Sequence, residues 1–355
     1  MYRMVLAGDR SAGEIGFMVQ RRSRFVLARL ENVFHPARKT GMSGKQVFWQ
    51  LTRWLGINAL ARALTRNEAR ILCYHGFSYR DEHRFSAPLF MRIETFRRRL
   101  QLLSEQGFSI ISLEELTQRL EQQRSLNNCL VITVDDGWTG FAEKAWPELQ
   151  ARKLPCTLYL TTWCVEHQLP VLNVVRRYLR WHGVSLPDST GDDTADWTAL
   201  QQAATKAGLS LHNEQTNEKL FHLITAGTTK RLHDQGCDIQ LHTHRHRVPE
   251  QDALLQKELN DNRDFLHGII GDKVLNHFCY PSGEYRREQF AALREAGIRS
   301  ATTTELGLVC AGDEPLALKR LLDADDISEA EFLAELSGLK TLLRRLKQRL
   351  RGQAS

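Results

Sequence analysis

The chain has 355 residues, 42% hydrophobic and 25% charged, with a formal net charge of +6. These are ordinary globular values, enough to bury a full core as one large domain or two smaller ones. No run of 18 apolar residues exists, which excludes a conventional spanning helix. The charge is unevenly placed. Residues 1–70 carry 13 Lys or Arg against 4 Asp or Glu, and residues 340–355 carry 6 against none, which leaves the 269 residues between them at a net −9. An acidic body with basic ends lacks the basic, aromatic-interleaved stripe that nucleic acid requires. No nucleic-acid partner is expected, and anionic membrane lipid is the electrostatic partner that the ends suit. Seven cysteines include no C-x-x-C pair, and Cys73, Cys129, Cys156, Cys237 and Cys279 sit in or beside strand-like runs. Free thiols used as small core hydrophobes suggest a reducing compartment. The opening MYRMVLAGDRSAGEIG also lacks a signal-peptide layout. A cytoplasmic protein, peripheral at the inner membrane, is therefore the expectation.

In chain order, residues 1–40 are basic and interrupted by Gly8, Gly13 and Pro36. They fit either a loosely folded arm or sequence upstream of a start at Met42. Lys45–Leu64 sets Phe48, Leu51, Leu55 and Leu60 near one helical face, for a helix on a membrane interface or one packed across the body of the fold. Arg70–Tyr74 reads as a strand ending at His75. Thr95–Gln106 is an amphipathic helix stopped by Gly107, Phe108–Ile111 a strand, and Ser112-Leu-Glu-Glu115 a capping box opening the next helix. Leu130–Val134 is a β-branched run that reads as a buried strand and ends in Asp135-Asp136-Gly137. A helix over Phe141–Arg152 and a strand over Cys156–Leu160 follow. Between Trp163 and Gly236 the pattern predicts a helix over Leu169–Trp181, a polar loop over Ser185–Ala195 and a helical hairpin over Asn213–Gln235. This insertion suits a lid or substrate wall, or plain packing. Asp238–Leu241 is a short strand ending in His242-Thr243-His244-Arg245-His246. Then come a helix over Gln251–His267, a strand over Leu275–Cys279, a helix over Glu288–Ala296, and strands over Ile298–Ala301 and Leu316–Leu322. Ile327–Leu350 closes as a basic amphipathic helix, destined for a membrane surface or for docking back on the body. Regular alternation of strand and helix argues for a parallel sheet.

Two adjacent carboxylates at the mouth of an apolar strand repel each other and lose solvation, and a bound cation relieves both costs. One acid then serves as a ligand and the other as a general base for water. Taken alone, Asp135 and Asp136 fit a helix-capping turn equally well. Three imidazoles in five residues after a second strand tip the balance, because two His and one Asp with an open position make a catalytic metal pattern.

The order of VDDG, H-T-x-x-H at His242–His246 and FCYPSG at Phe278–Gly283, with ILCYHGF at Ile71–Phe77 and GIRSATT at Gly297–Thr303, resembles the polysaccharide deacetylases of carbohydrate esterase family 4. The resemblance runs over roughly Ala69–Leu322. It implies an α/β fold, an irregular (β/α)7-type barrel at residues 69–325 with the insertion at 163–236. The barrel would carry an N-terminal helical extension (1–68) and a C-terminal amphipathic helix (326–355). It implies Asp136, His242 and His246 as ligands of a divalent metal, with zinc the expected ion, and Asp135 as general base. His75 would point into the cleft or serve as an ordinary hydrogen-bonded loop histidine, Tyr280 and Pro281 would border substrate with a nearby backbone N–H on the oxyanion, and His244 would face away or contact the ligands from behind. The expected reaction is hydrolysis of the N-acetyl group of an amino sugar in a cell-surface polysaccharide or its lipid-linked precursor.

Two departures stand out. Cys279 occupies the place where the family often has an Arg holding the base, and Leu318-Lys319-Arg320 stands where its late catalytic His would be. Proton delivery to the leaving amine then falls to Asp135 with His75 assisting. The rivals are hydrolysis of a small non-sugar amide or an N-formyl amino sugar, and a saccharide-binding protein without turnover.

Overall fold

We analysed a computed structural model, which describes residues 43–213 and 218–352. The chain divides into two units, Met1–Val47 and Phe48–Ser355. The expectations for residues 1–40 lie outside the described residues.

Seven parallel strands close into a ring: β1 (Arg70–Tyr74), β2 (Cys129–Asp136), β3 (Thr157–Leu160), β4 (Asp238–Leu241), β5 (His277–Cys279), β6 (Ser300–Leu306) and β7 (Leu318–Leu322). The order runs β1-β7-β6-β5-β4-β3-β2, and β2 returns to β1 in register from Arg70↔Leu130 to Tyr74↔Val134. Every residue of β1 and β2 is buried, which is why both read as continuous apolar runs without alternation. Ser109–Ile110 adds a short parallel strand against the first two residues of β2. A register shift between Thr302 and Leu306 loosens the β6–β7 pairing. The barrel is irregular at that point.

The helices follow from the same sequence. Lys45–Leu64 is split into α1 (Gly44–Trp54) and α2 (Ile57–Leu64), because Gly56 takes a left-handed backbone between them. α3 (Ile93–Glu105) and α4 (Leu113–Glu121) lie as read, and Ser112 Oγ accepts from the Glu115 N–H at 3.1 Å to cap α4. Phe141–Ala145 forms a π turn before the helix Trp146–Ala151. Within the insertion, α5 (Leu172–Trp181) matches expectation, whereas the polar stretch after Ser189 starts α6 (Asp193–Lys206). Asp192 caps that helix through two backbone N–H groups, a signal that outweighs its lack of an apolar face. The helical hairpin expected over Asn213–Gln235 is also corrected. Two-residue strands, His212–Asn213 and Glu218–Lys219, pair antiparallel, and among the described residues of this span only α7 (Ala226–Asp234) is helical. Phe221 at φ 64 turns the chain between them. α8 (Asp252–Ile270) and α9 (Phe290–Glu295) flank β5, and the C-terminal helix breaks at Gly338 (φ +82) into α10 (Glu329–Leu336) and α11 (Leu339–Gly352). A Cβ on Gly338 would lie 2.5 Å from Thr65 Oγ1, so α2 and the α10–α11 corner approach as closely as glycine permits.

Candidate active site

Asp135 and Asp136 stand at the C-terminal end of β2, where active sites of such barrels gather. The turn after them is tightly determined. Gly137 has φ +96, and a Cβ there would fall 2.1 Å from Leu160 Cδ1. Asp136 itself is left-handed (φ 72), as are Thr243 (φ 58) and His246 (φ 52) in the histidine loop. Strained backbone at three positions of two loops is the kind of cost that clusters at functional sites.

Asp136 Oδ1 lies 3.3 Å from His242 Nε2 and 3.3 Å from His246 Nε2. The three ligand atoms fall within 4.8 Å of one another. Ligands about 2.0–2.2 Å from a tetrahedral ion stand about 3.3–3.6 Å apart, so the separations suit zinc-like coordination. The supporting bonds agree. His242 Nδ1 donates to Cys279 O at 2.8 Å, which leaves Nε2 free to ligate, and the Trp138 indole N–H donates to Asp136 Oδ2 at 2.7 Å, which leaves Oδ1 facing the imidazoles. Burial pushes the Asp136 carboxyl up, but the hydrogen bonds from His242 and His246 hold it well below the carboxylate range. Burial lowers His242, yet Asp136 and Asp135 outweigh it and raise the imidazole above its ordinary value. A site that draws a proton onto the buried His242 imidazole attracts positive charge. Asp136, His242 and His246 therefore fit a divalent ion.

Asp135 is held differently. Arg320, fully buried on β7, grips it with two bonds, Nη1 to Oδ1 at 2.8 Å and Nη2 to Oδ2 at 2.7 Å. Arg320 Nε donates to Thr303 O at 2.8 Å and Nη1 to Thr133 Oγ1 at 3.2 Å. The Cys279 and Cys73 thiols approach Asp135 Oδ2 at 3.4 and 3.6 Å. Burial pushes the Asp135 carboxyl up, and the Arg320 charge more than reverses this, leaving it at about 2. His75 Nε2 is 3.8 Å from Asp135 Oδ2, and its buried Nδ1 has no hydrogen-bond partner among the described residues.

Other positions read from the sequence fall as follows. His244 is buried facing the other way, its Nδ1 2.8 Å from Thr162 Oγ1 and its Nε2 3.4 Å from Glu166. The Tyr280 N–H donates to Thr302 O at 3.2 Å and is engaged within the sheet. Its hydroxyl donates to Leu316 O at 2.8 Å, and Pro281 is buried at the start of the turn Pro281–Gly283. The expectation that Asp135 lacks an arginine is corrected, because Arg320 supplies the guanidinium from the last strand, two strands along from Cys279 and 3.3 Å from its Sγ. Two supports on α8 went unread. Asn262 Oδ1 accepts the His242 N–H at 2.9 Å while its amide donates to Leu160 O and Thr162 Oγ1. One turn earlier, Glu258 accepts from Arg245 N at 2.9 Å and Arg247 Nε at 2.6 Å. Their spacing of four, both inward on one helix, was the available signal.

A seven-stranded parallel barrel with paired acids and a histidine loop at its strand ends defines the carbohydrate esterase 4 class of fold. The chain matches the polysaccharide deacetylase family over residues 122–301, just over half its length, and belongs to that family. It is 21% identical over 271 residues to the YxkH protein of Bacillus subtilis (strain 168), covering 76% of each chain. Among solved structures it resembles the Streptococcus pyogenes deacetylase PplD in complex with acetate, with a TM-score of 0.56 and 19% identity over 76% of this chain and 98% of that one. IcaB from Ammonifex degensii follows at 0.54 and 19%, over 76% and 97%.

Proposed function

We propose that this protein is a metal-dependent hydrolase that removes N-acetyl groups from an amino sugar of a cell-surface polysaccharide or its lipid-linked precursor, from the cytoplasmic side of a membrane. The observation that carries the reading is the pairing of Asp136, 3.3 Å from two imidazoles, with an Asp135 that is ionised and separately fixed by Arg320. A divalent ion held by Asp136, His242 and His246, with zinc the expected one, supplies Lewis-acid polarisation of the acyl carbonyl and acidifies the attacking water, which a base as weak as Asp135 needs. Asp135 accepts the proton as water adds to the acyl carbon. The C–N bond then breaks, and that proton passes to the leaving amine, directly or through His75 at 3.8 Å, to give acetate and a free amino sugar.

The bidentate grip of Arg320 weighs against one of the two motives for a saccharide-binding protein without turnover, the missing arginine, since binding alone needs no oriented base. The test is release of acetate and of an equal amount of free amine from an N-acetylhexosamine oligomer. Wild type is expected to turn over, a chelator to stop it and zinc to restore it, with Asp135→Asn slower by at least about a hundredfold. Turnover that survives both chelation and Asp135→Asn would defeat the proposal.

A further inference from the structure

The end of the barrel away from the acids carries an unpartnered helical face. Trp49 of α1, Ala61 of α2, Ala330 and Ala334 of α10 and Leu339 of α11 pack together in a small cluster. The group is fastened to the N-terminal ends of the strands through α10 and α2: Arg70 Nε donates to Leu336 O at 3.0 Å, and Arg62 Nη2 to Asn128 Oδ1 at 2.9 Å. The outward sides are apolar. Phe48, Leu51, Trp54, Leu55, Leu60 and Leu64 all stand exposed, Trp54 at 85%. Exposed Leu343, Leu346 and Leu350 add a second stripe along α11. An apolar surface of this extent on two neighbouring segments exceeds the scattered exposure normal for a soluble surface.

The charge around it indicates what covers it. Residues 48–67 and 339–352 contain no Asp or Glu. The cations nearest the barrel are neutralised, Lys340 and Arg344 by Glu335 and Arg345 by Glu68. Further along α11, Lys347, Arg349 and Arg351 have no ion-pair partner among the described residues, and they alternate with Leu346 and Leu350. A second copy of this chain on the same face would oppose these cations with their own kind. None of the described helices is long and apolar enough to cross a membrane. Helices with an apolar stripe, a wholly cationic border and an exposed Trp are suited to lie in a bilayer interface.

We infer that residues 48–64 and α11 form one docking surface for an anionic lipid bilayer, with the candidate active site left open at the other strand ends. The inference does not rest on the deacetylase reading, because the experiment below reads binding and no turnover.

The experiment is flotation of the full-length protein with vesicles of phosphatidylcholine alone and with about a third phosphatidylglycerol. Binding is expected only to the anionic vesicles and is expected to weaken as salt rises. Replacing Lys347, Arg349 and Arg351 together by Gln is expected to lower the partition coefficient about a hundredfold, at about fivefold per cation. The triple variant Trp54→Ser, Leu346→Ser, Leu350→Ser is expected to lower it at least about tenfold. These side chains are exposed, so unchanged circular dichroism would separate lost binding from lost folding. Failure to bind anionic vesicles, equal binding to both vesicle types, or wild-type binding by both variants would overturn the inference. So would a dimer or an acidic protein complex that both variants abolish while vesicle binding persists.

Discussion

Replacing Arg320 by Met isolates the device that sets the base. The side chain is fully buried and makes two bonds of 2.8 and 2.7 Å to Asp135. Removing one partner of such a pair leaves a buried charge uncompensated, at a cost of about 3–5 kcal/mol near neutral pH. The pH dependence gives a sharper signature. In the wild type, Asp135 sits at about 2, below its unfolded value of about 3.9. Its ionised form therefore contributes about 2–3 kcal/mol of stability above about pH 4, lost as pH falls toward 2. Without the guanidinium, burial dominates and pushes the carboxyl above its unfolded value. The sign then reverses: protonation stabilises the variant, fully below about pH 4 and less as pH rises through the new value. The assay is urea unfolding of both proteins, in chelator, between about pH 7 and pH 4.5. The deficit of Arg320→Met is expected to be largest at neutral pH and to narrow toward the acid end. A deficit under about 1 kcal/mol, or one that does not change with pH, would refute the reasoning. Adding Cys279→Arg, at the position where the family often keeps this residue, is expected to recover part of the loss.

The other expectations follow from the same geometry. Asn262→Ala frees the His242 N–H and two partners on the neighbouring loop, and is expected to weaken zinc affinity about 10- to 100-fold by competition titration while leaving the fold intact. His75→Ala is expected to lower turnover about tenfold or more with metal content unchanged, and full turnover would remove His75 from proton transfer. Gly137→Ala places a Cβ 2.1 Å from Leu160 Cδ1 on a left-handed backbone, and is expected to cost at least about 2 kcal/mol in thermal or urea unfolding.

Where a strand's buried residues run continuously, as in β1 and β2, the sequence announces the element plainly, and the motifs at its end place the chemistry. The cluster of Asp136, His242 and His246 was legible because acids and imidazoles together seldom follow strands so densely. Arg320 was not, because its partner lies 185 positions earlier and a lone Arg in Leu-Lys-Arg-Leu-Leu carries no local mark of the barrel interior. Its register with Leu318, two residues before, was the one clue that it points inward. The 163–236 insertion was read least well. α6 is held by the Asp192 cap and by Asp196, which accepts from Thr190 and Arg176, rather than by an apolar stripe. The antiparallel pair of His212–Asn213 and Glu218–Lys219 consists of two-residue strands too short for periodicity to register. Glycine breaks at Gly56 and Gly338 divided two helices whose apolar spacing alone runs straight through.

The most direct test of the account is elemental analysis of protein purified without chelator, comparing wild type with His246→Ala, Asp136→Asn and Asp135→Asn. The geometry predicts close to one divalent ion per chain in the wild type, loss in His246→Ala and Asp136→Asn, and retention in Asp135→Asn, because that neighbour belongs to Arg320. Absence of metal from the wild type even after zinc is added, or loss on replacing Asp135 but not Asp136, would contradict it.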